Sequence, residues 1–318
     1  MPINCYNIPI FEYNYIMQEN AIIRPAFLKE GDTIGIVAPA RKISAEELAP
    51  AIAILENWGL TVKLGRNIFA AQNQFAGSDK QRAVDYQDML DDKDVKAIIS
   101  TRGGYGTVRI IDKLNFTLFK KNPKWIIGYS DVTVMHSHVH TNLGTETLHA
   151  TMPINFNKDA ESIKLLEKAL FGKALNYITP WHKYNKTGTC KGVLVGGNLS
   201  LLYALAGTKS DINTEGKILF LEDLDEYLYH IDRMMIQLKR SGKLAGLRGL
   251  VVGDFSDMKD NTVPFGKTAE EIILDAVQEY KYPVCFGFPA GHGTKNYPLF
   301  LGREIELSVK EKTSLKFL

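Results

Sequence analysis

From Thr33 to Leu143, short apolar runs alternate with longer segments that have the features of helices. The first run, TIGIVAPA, is typical of a buried strand in a parallel sheet. The next segment begins with Ser44 and Glu47, whose spacing is that of a capping box at a helix start. Alternation of this kind predicts an α/β domain, in which helices cover both faces of a parallel sheet. The predicted strands are 33–40, 60–65, 95–101 and 124–129, and the predicted helices are 44–59, 78–92, one that starts at 106, and 132–144.

The pattern changes after Pro153. Residues 158–172 read as a helix, and NYITPWHKYNKTGTC (176–190) is polar and rich in turn residues, which is typical of an irregular linker. The apolar runs that follow have fewer helices between them, so they predict a smaller β-rich domain with a mixed or barrel-like sheet. A chain of 318 residues suits two domains. We therefore expect a tail at 1–21, an α/β domain at 22–172, a linker at 173–189 and a β-rich domain at 190–318.

Composition excludes several kinds of partner. The chain has 38 basic and 36 acidic residues, so the net charge of +2 gives no sign of a nucleic-acid or membrane surface. No apolar run reaches the ~18 residues of a membrane span, and the N-terminus lacks the basic start of a signal peptide. The cysteines Cys5, Cys190 and Cys285 show no CxxC spacing, which suits a reducing compartment. These features predict a cytoplasmic protein.

Two turns that could carry chemistry follow predicted strands. One is RGGYG (102–106), and the other is Gly128-Tyr129-Ser130-Asp131. Ligands of open α/β sheets bind beyond the carboxyl ends of the strands, where both turns fall. Ser130 has two interpretations: it is a helix N-cap, or it is a nucleophile on a strand-to-helix turn.

The glycine-rich turn also has several interpretations. It matches neither GxGxxG nor GxxxxGK[ST], so it is a weak phosphate-binding motif. Its glycines would allow backbone N–H groups to approach a substrate oxyanion, or they could serve only a tight turn. Arg102 could bind a substrate carboxylate or form an ordinary ion pair.

A serine nucleophile needs a histidine to take its proton and, preferably, an acid that orients the histidine. His292 lies between two glycines in FGFPAGHGTKNYP, directly after an apolar run, and Glu222 ends the apolar run in KILFLEDLDE. Each could instead be an ordinary solvated loop residue. A metal site ranks last, because His136, His138 and His140 alternate along one predicted helix and cannot all share a face.

Taken in order, the motifs RGGYG, GYSD, GGNLS, LFLED with YHIDR, and FPAGHG resemble the LD-carboxypeptidases. These are serine peptidases that remove the terminal D-alanine from murein tetrapeptides during cell-wall recycling, and the family includes microcin immunity peptidases. The resemblance runs from about Ile34 to the C-terminus. One departure from the general hydrolase elbow GxSxG is that Val132 stands in place of its second glycine.

The resemblance implies a role for each matching residue. Ser130 would be the nucleophile, His292 the general base and Glu222 the group that orients it. The backbone N–H groups of Gly104 and Asp131 would form the oxyanion hole, and no metal or organic cofactor would be needed. Arg102 and Arg233 are candidates for binding the substrate.

The family fold is a flavodoxin-like N-terminal domain with a smaller β-rich C-terminal domain, usually in a homodimer. The implied substrate is a murein tetrapeptide. The alternative is an immunity-like hydrolase that cleaves peptide-nucleotide conjugates with the same residues.

Overall fold

The computed structural model describes residues 22–318, so the expectations for the tail at 1–21 and for Cys5 lie outside the described residues. The strands are β1 (Thr33–Val37), β2 (Thr61–Leu64), β3 (Val95–Ser100), β4 (Trp125–Gly128), β5 (Thr147–His149), β6 (Asn176–Pro180), β7 (Gly188–Asn198), β8 (Ile218–Leu224), β9 (Gly249–Ser256), β10 (Val284–Cys285), β11 (Leu299–Leu301), β12 (Glu304–Val309) and β13 (Lys312–Phe317). The helices are α1 (Ala45–Asn57), α2 (Asp79–Asp91), α3 (Thr117–Lys121), α4 (Thr133–Leu143), α5 (Ala160–Leu170), α6 (Leu199–Leu205), α7 (Leu228–Arg240) and α8 (Ala269–Val277).

The first sheet confirms the predicted parallel α/β architecture. Among the described residues its strand order is β11-β5-β4-β3-β1-β2, and β1 to β5 run parallel. β4 is buried along its whole length, as expected for a strand covered on both faces. α1 begins with the predicted capping box, in which Ser44 and Glu47 bond each other's backbone. The carboxyl ends of β3 and β4 therefore lie side by side at one edge of the sheet.

The second sheet is mixed, also as predicted. Within residues 22–318 its order is β10-β9-β8-β7-β12-β13-β6, with parallel pairing from β7 to β10 and antiparallel pairing from β7 to β6. An isolated bridge between Lys186 and Val284 links the β6–β7 connection to β10. α7 and α8 pack their apolar faces with this sheet in one core cluster, which positions the carboxyl end of β8.

One strand joins the two halves of the chain. β11 follows the predicted His292 loop, yet it pairs antiparallel with β5 at the edge of the first sheet. The hydrophobic core accordingly includes residues of both sheets, for example Phe300 of β11, whose ring centroid lies 5.1 Å from that of Phe317 of β13. The C-terminal half thus completes the sheet that carries Ser130.

Two local predictions were wrong. In the segment predicted as an irregular linker, residues 176–180 form β6, which pairs with β13. The segment reads as polar in sequence, but its alternate residues Tyr177 and Thr179 are buried, as in a strand with one face toward the core. The helix predicted from Gly106 forms only two short 3-10 turns, Thr107–Arg109 and Ile111–Lys113. The many β-branched residues in TVRII account for this, since they lower helix propensity.

Candidate active site

Ser130 lies on a sharp turn between β4 and α4. It begins a short 3-10 turn, Ser130–Val132, that runs directly into the helix. Its backbone φ is +62°, a left-handed conformation that is uncommon for residues other than glycine. The N-cap of α4 is Val132, and no side-chain cap bond forms at either element. Of the two interpretations of Ser130, helix capping is therefore excluded, and the turn retains the form of a nucleophile elbow.

The glycine-rich turn after β3 approaches Ser130 closely. A Cβ atom added to Gly103 would lie 2.7 Å from Ser130 Oγ, so a larger residue there would displace the hydroxyl. Gly104 has φ +114°, which strongly favours glycine. The two turns are tied together by Asp131, whose Oδ2 accepts hydrogen bonds from the backbone N–H (2.8 Å) and the hydroxyl (2.6 Å) of Thr107. Burial raises the pKa of Asp131.

Glu222 and His292 form a buried pair. Nδ1 of His292 donates to Oε2 of Glu222 at 2.6 Å, and Glu222 is 0% exposed. Glu222 comes near the end of β8, at a point where the register between β8 and β9 shifts. Burial alone would lower the pKa of His292, but the charge and hydrogen bond of Glu222, with Asp223, outweigh it and raise that pKa. The arrangement leaves Nε2 of His292 as the nitrogen available to another group.

Tyr129 brings the serine turn and the histidine loop together. Its ring centroid lies 4.8 Å from that of His292, and its hydroxyl accepts a hydrogen bond from Nδ2 of Asn155 at 2.7 Å. Among residues 22–318, no hydrogen bond joins Ser130 to His292. Catalytic hydrogen bonds often tighten only when substrate binds. Tyr129 thus packs the turn of Ser130 against the loop of His292, while the hydrogen bond that proton transfer would need is not formed among the described residues.

The two candidate arginines have side-chain contacts with other residues. Arg102 donates to the backbone oxygen of Lys42 at 3.3 Å and lies 4.0 Å from Oε1 of Glu47. Arg233 is exposed on α7, with its guanidinium 5.4 Å from the ring centroid of Tyr229. Neither contact involves Ser130, Glu222 or His292, so a substrate-binding role for either arginine stays a prediction.

The three histidines of α4 have separate neighbours. His136 donates from Nε2 to the backbone oxygen of Gly128 at 2.9 Å, His138 bonds Ser210 and His140 lies 3.3 Å from Lys217. Burial lowers the pKa of His136 to about 4, so it is neutral and supports the last residue of β4. Sequence reasoning missed this support, because it depends on which face of α4 packs on the strand.

Two further kinds of site are absent from residues 22–318. No group of three or more histidine, cysteine or acidic side chains is arranged to hold a metal ion in this part of the chain. None of its helices combines the length and apolar character that crossing a bilayer requires. The described thiols, Cys190 and Cys285, are both free.

Both halves of the chain match models of the same protein family. Residues 34–150 match the family model described as LD-carboxypeptidase N-terminal domain, and residues 191–307 match LD-carboxypeptidase C-terminal domain. A probable murein peptide carboxypeptidase of Bacillus subtilis is 36% identical, over 96% of this chain and 95% of its own length.

Solved structures give the same result for the fold. The muramoyltetrapeptide carboxypeptidase from Oxalobacter formigenes superposes with a TM-score of 0.81 at 28% identity, covering 90% of this chain and 98% of its own. The microcin C7 self-immunity protein MccF, in complex with aspartyl sulfamoyl adenosine, gives a TM-score of 0.83 at 20% identity, covering 94% and 99%. At that identity the second likeness concerns the fold alone.

Proposed function

This chain belongs to the LD-carboxypeptidase family, and we propose that it is a cytoplasmic serine carboxypeptidase that removes the terminal D-alanine from murein tetrapeptides. Family and relatives support a carboxypeptidase that acts on murein peptides. The observation that carries the serine mechanism is the buried Glu222–His292 pair, packed through Tyr129 against the turn of Ser130.

In the first half of the reaction, Nε2 of His292 takes the proton of Ser130 as Oγ attacks the carbonyl between the diamino acid and D-alanine. The oxyanion that forms accepts hydrogen bonds from the backbone N–H groups of Gly104 and Asp131. Each such donor typically lowers the barrier by about 2.7 to 4 kcal/mol. The C–N bond then breaks, His292 gives its proton to the departing amine, and D-alanine leaves an acyl group on Ser130.

In the second half, water replaces the amine. His292 takes a proton from the water as the water oxygen bonds to the acyl carbon. The C–O bond to Ser130 then breaks, His292 returns the proton to Ser130 Oγ, and the shortened peptide leaves as a carboxylic acid. Glu222 holds the Nδ1–H of His292 throughout, which keeps Nε2 pointed at the reacting groups and stabilises the imidazolium.

The test is release of D-alanine from L-Ala-γ-D-Glu-diaminopimelate-D-Ala by the purified protein, measured by mass spectrometry. We expect Ser130→Ala to abolish release while the circular dichroism spectrum stays unchanged. Ser137→Ala is the matched control, because Ser137 is a buried serine of α4 whose hydroxyl has no partner in the described structure. Full activity of Ser130→Ala would refute the serine mechanism.

A second substrate separates the alternative from the proposal. An aminoacyl-nucleotide conjugate is run beside the tetrapeptide, because the MccF fold superposes over 94% of this chain. Cleavage of the conjugate alone, lost in Ser130→Ala, would assign the chain to the immunity-like activity. Light scattering of the same sample tests the homodimer that the family resemblance predicts.

A further inference from the structure

The loop that carries His292 is held on both sides of the histidine. The N–H of Gly291 donates to Oδ1 of Asn296 at 3.0 Å, and the N–H of Gly293 donates to Oδ2 of Asp254 at 3.2 Å. Asn296 is nearly fully buried and also bonds His149 at 3.1 Å, which fixes the orientation of its amide. The backbone on each side of His292 is therefore fixed by a side chain from outside the glycine pair.

Asp254 reaches this loop at two points. Its own N–H donates to the backbone oxygen of Ala290 at 2.9 Å, while its carboxylate accepts from Gly293. These two bonds bracket residues 290 to 293. A Cβ atom added to Gly293 would lie 2.6 Å from Oδ2 of Asp254, so the carboxylate packs directly against the loop.

A bulge in β9 gives Asp254 this position. Leu221 of β8 pairs with Val252 and Asp223 pairs with Phe255, so Gly253 and Asp254 together stand opposite Glu222. Bulges re-aim side chains and are common beside active sites. The irregularity therefore directs Asp254 toward the same loop that Glu222 reaches from β8.

Asp254 also adds a negative charge beside the pair. Burial raises its pKa to about 6, with the charge of Glu222 acting in the same direction, while the Gly293 bond and His292 oppose the rise. The carboxylate is thus mostly ionised above neutral pH. The other titratable groups that face His292 are Glu222, Asp223, Tyr129, His149 and Lys158.

We propose that Asp254 is a positioning residue for His292: it clamps residues 290 to 293 and contributes negative charge that favours the imidazolium. This role rests on the proposed function, in which His292 is the general base. It assigns to Asp254 no contact with substrate.

Two substitutions separate the clamp from the charge. Asp254→Asn keeps an oxygen that can accept from Gly293 but removes the charge, and Asp254→Ala removes both. Asp225→Asn is the matched control, since Asp225 is an exposed carboxylate after Glu222 that pairs with Lys259. Each variant is assayed for kcat and KM across pH, and its His292 imidazole is titrated by NMR, with His292→Gln identifying the signal.

For Asp254→Asn we expect kcat on the plateau within about threefold of the unsubstituted protein, because the clamp remains. Both the acid-side midpoint of kcat/KM and the NMR pKa of His292 should fall by about 0.5 to 1. Asp254→Ala should lose about 10- to 100-fold in kcat with KM within about threefold, because a misplaced base slows the chemical step. Asp225→Asn should leave all of these values unchanged.

Two results would overturn the inference. One is an unchanged NMR titration of His292 in Asp254→Asn, which would exclude the charge whether or not the protein is active. The other is Asp254→Ala with kcat within twofold of the unsubstituted protein, which would exclude the clamp. If Asp254→Ala does not fold, the titration of Asp254→Asn still decides. A chain that releases no D-alanine but shows the shifted titration would refute the proposed function and leave the positioning of His292 intact.

Discussion

Glu222→Gln tests the orienting role of the buried pair most directly. Glu222 is 0% exposed and its Oε2 accepts the Nδ1–H of His292 at 2.6 Å, so the side chain cannot contact substrate. Glutamine is nearly isosteric but carries no charge, and its amide can present N–H groups to the imidazole. The substitution therefore removes the stabilised imidazolium and allows the wrong tautomer, without opening a cavity.

The expected loss follows from the bond that is changed. A hydrogen bond to a charged group contributes about 1.5 to 3 kcal/mol, which corresponds to roughly a 10- to 150-fold change in rate. Loss of the correct tautomer extends the effect toward ~10⁴-fold in triads of this kind. We therefore expect kcat to fall about 10²- to 10⁴-fold, with KM within about threefold.

The thermal stability of the Glu222→Gln protein, unlike its kcat, should not fall. The second oxygen of Glu222, Oε1, is buried and has no hydrogen-bond partner among the described residues. Burying a charge with incomplete partners is costly, so above the pKa of His292, where the imidazole is neutral, a neutral glutamine should keep or raise the melting temperature.

The assay is D-alanine release across substrate concentrations, with thermal unfolding followed by circular dichroism. Glu226→Gln is the matched control, because Glu226 accepts from Nδ1 of His230 at 2.8 Å in a second Glu–His pair. The control should keep kcat within about twofold. Glu222→Gln with kcat within tenfold of the unsubstituted protein would refute the orienting role.

Three further outcomes are expected. Gly103→Ala should lower kcat by at least ~10²-fold with little change in KM, because its Cβ would lie 2.7 Å from Ser130 Oγ; kinetics that match the unsubstituted protein would contradict the close approach. The acid limb of the pH profile of kcat/KM should have its midpoint above pH ~6.5, because the fold raises the pKa of His292 and the base must be neutral to act. A midpoint below that pH would contradict the net influence of Glu222 on the pKa of His292. Asp254→Asn should raise the melting temperature at pH 8 but not at pH 4. The reason is that the fold raises the pKa of Asp254 to about 6, so the ionised carboxylate destabilises the folded protein above that pH. Equal melting temperatures of the variant and the unsubstituted protein at pH 8 would contradict this.

Much of the first sheet could be predicted from the sequence, since its strands are short apolar runs separated by capped helices. β6 could not, because the polar Asn176 and Thr179 and the turn-favouring Pro180 give a loop-like composition to a strand that buries alternate residues. The pairing of β11 with β5 could not be predicted from the sequence either. It joins residues about 150 positions apart, and no local pattern specifies such a contact.

Part of the candidate site could likewise be predicted from the sequence, and part could not. Ser130, Glu222 and His292 could be named from motifs at strand ends, and the structure supplies the 2.6 Å bond between the last two. The exclusion of helix capping needed the backbone, because a serine with φ +62° and an N-cap serine can have the same neighbours in sequence. Asp254 was missed because its position depends on a bulge, which shifts strand register without a sequence signal.

The pairing of β11 with β5 also limits how the chain could be expressed as two separate fragments. A fragment that ends near residue 190 would contain Ser130 and β1 to β5, yet it would lack the strand that covers β5. An uncovered edge strand is a template for pairing with other chains, so such a fragment should self-associate when it is expressed alone. Supplying residues 191–318 in trans would return both the edge strand and His292, which makes solubility and activity recover together.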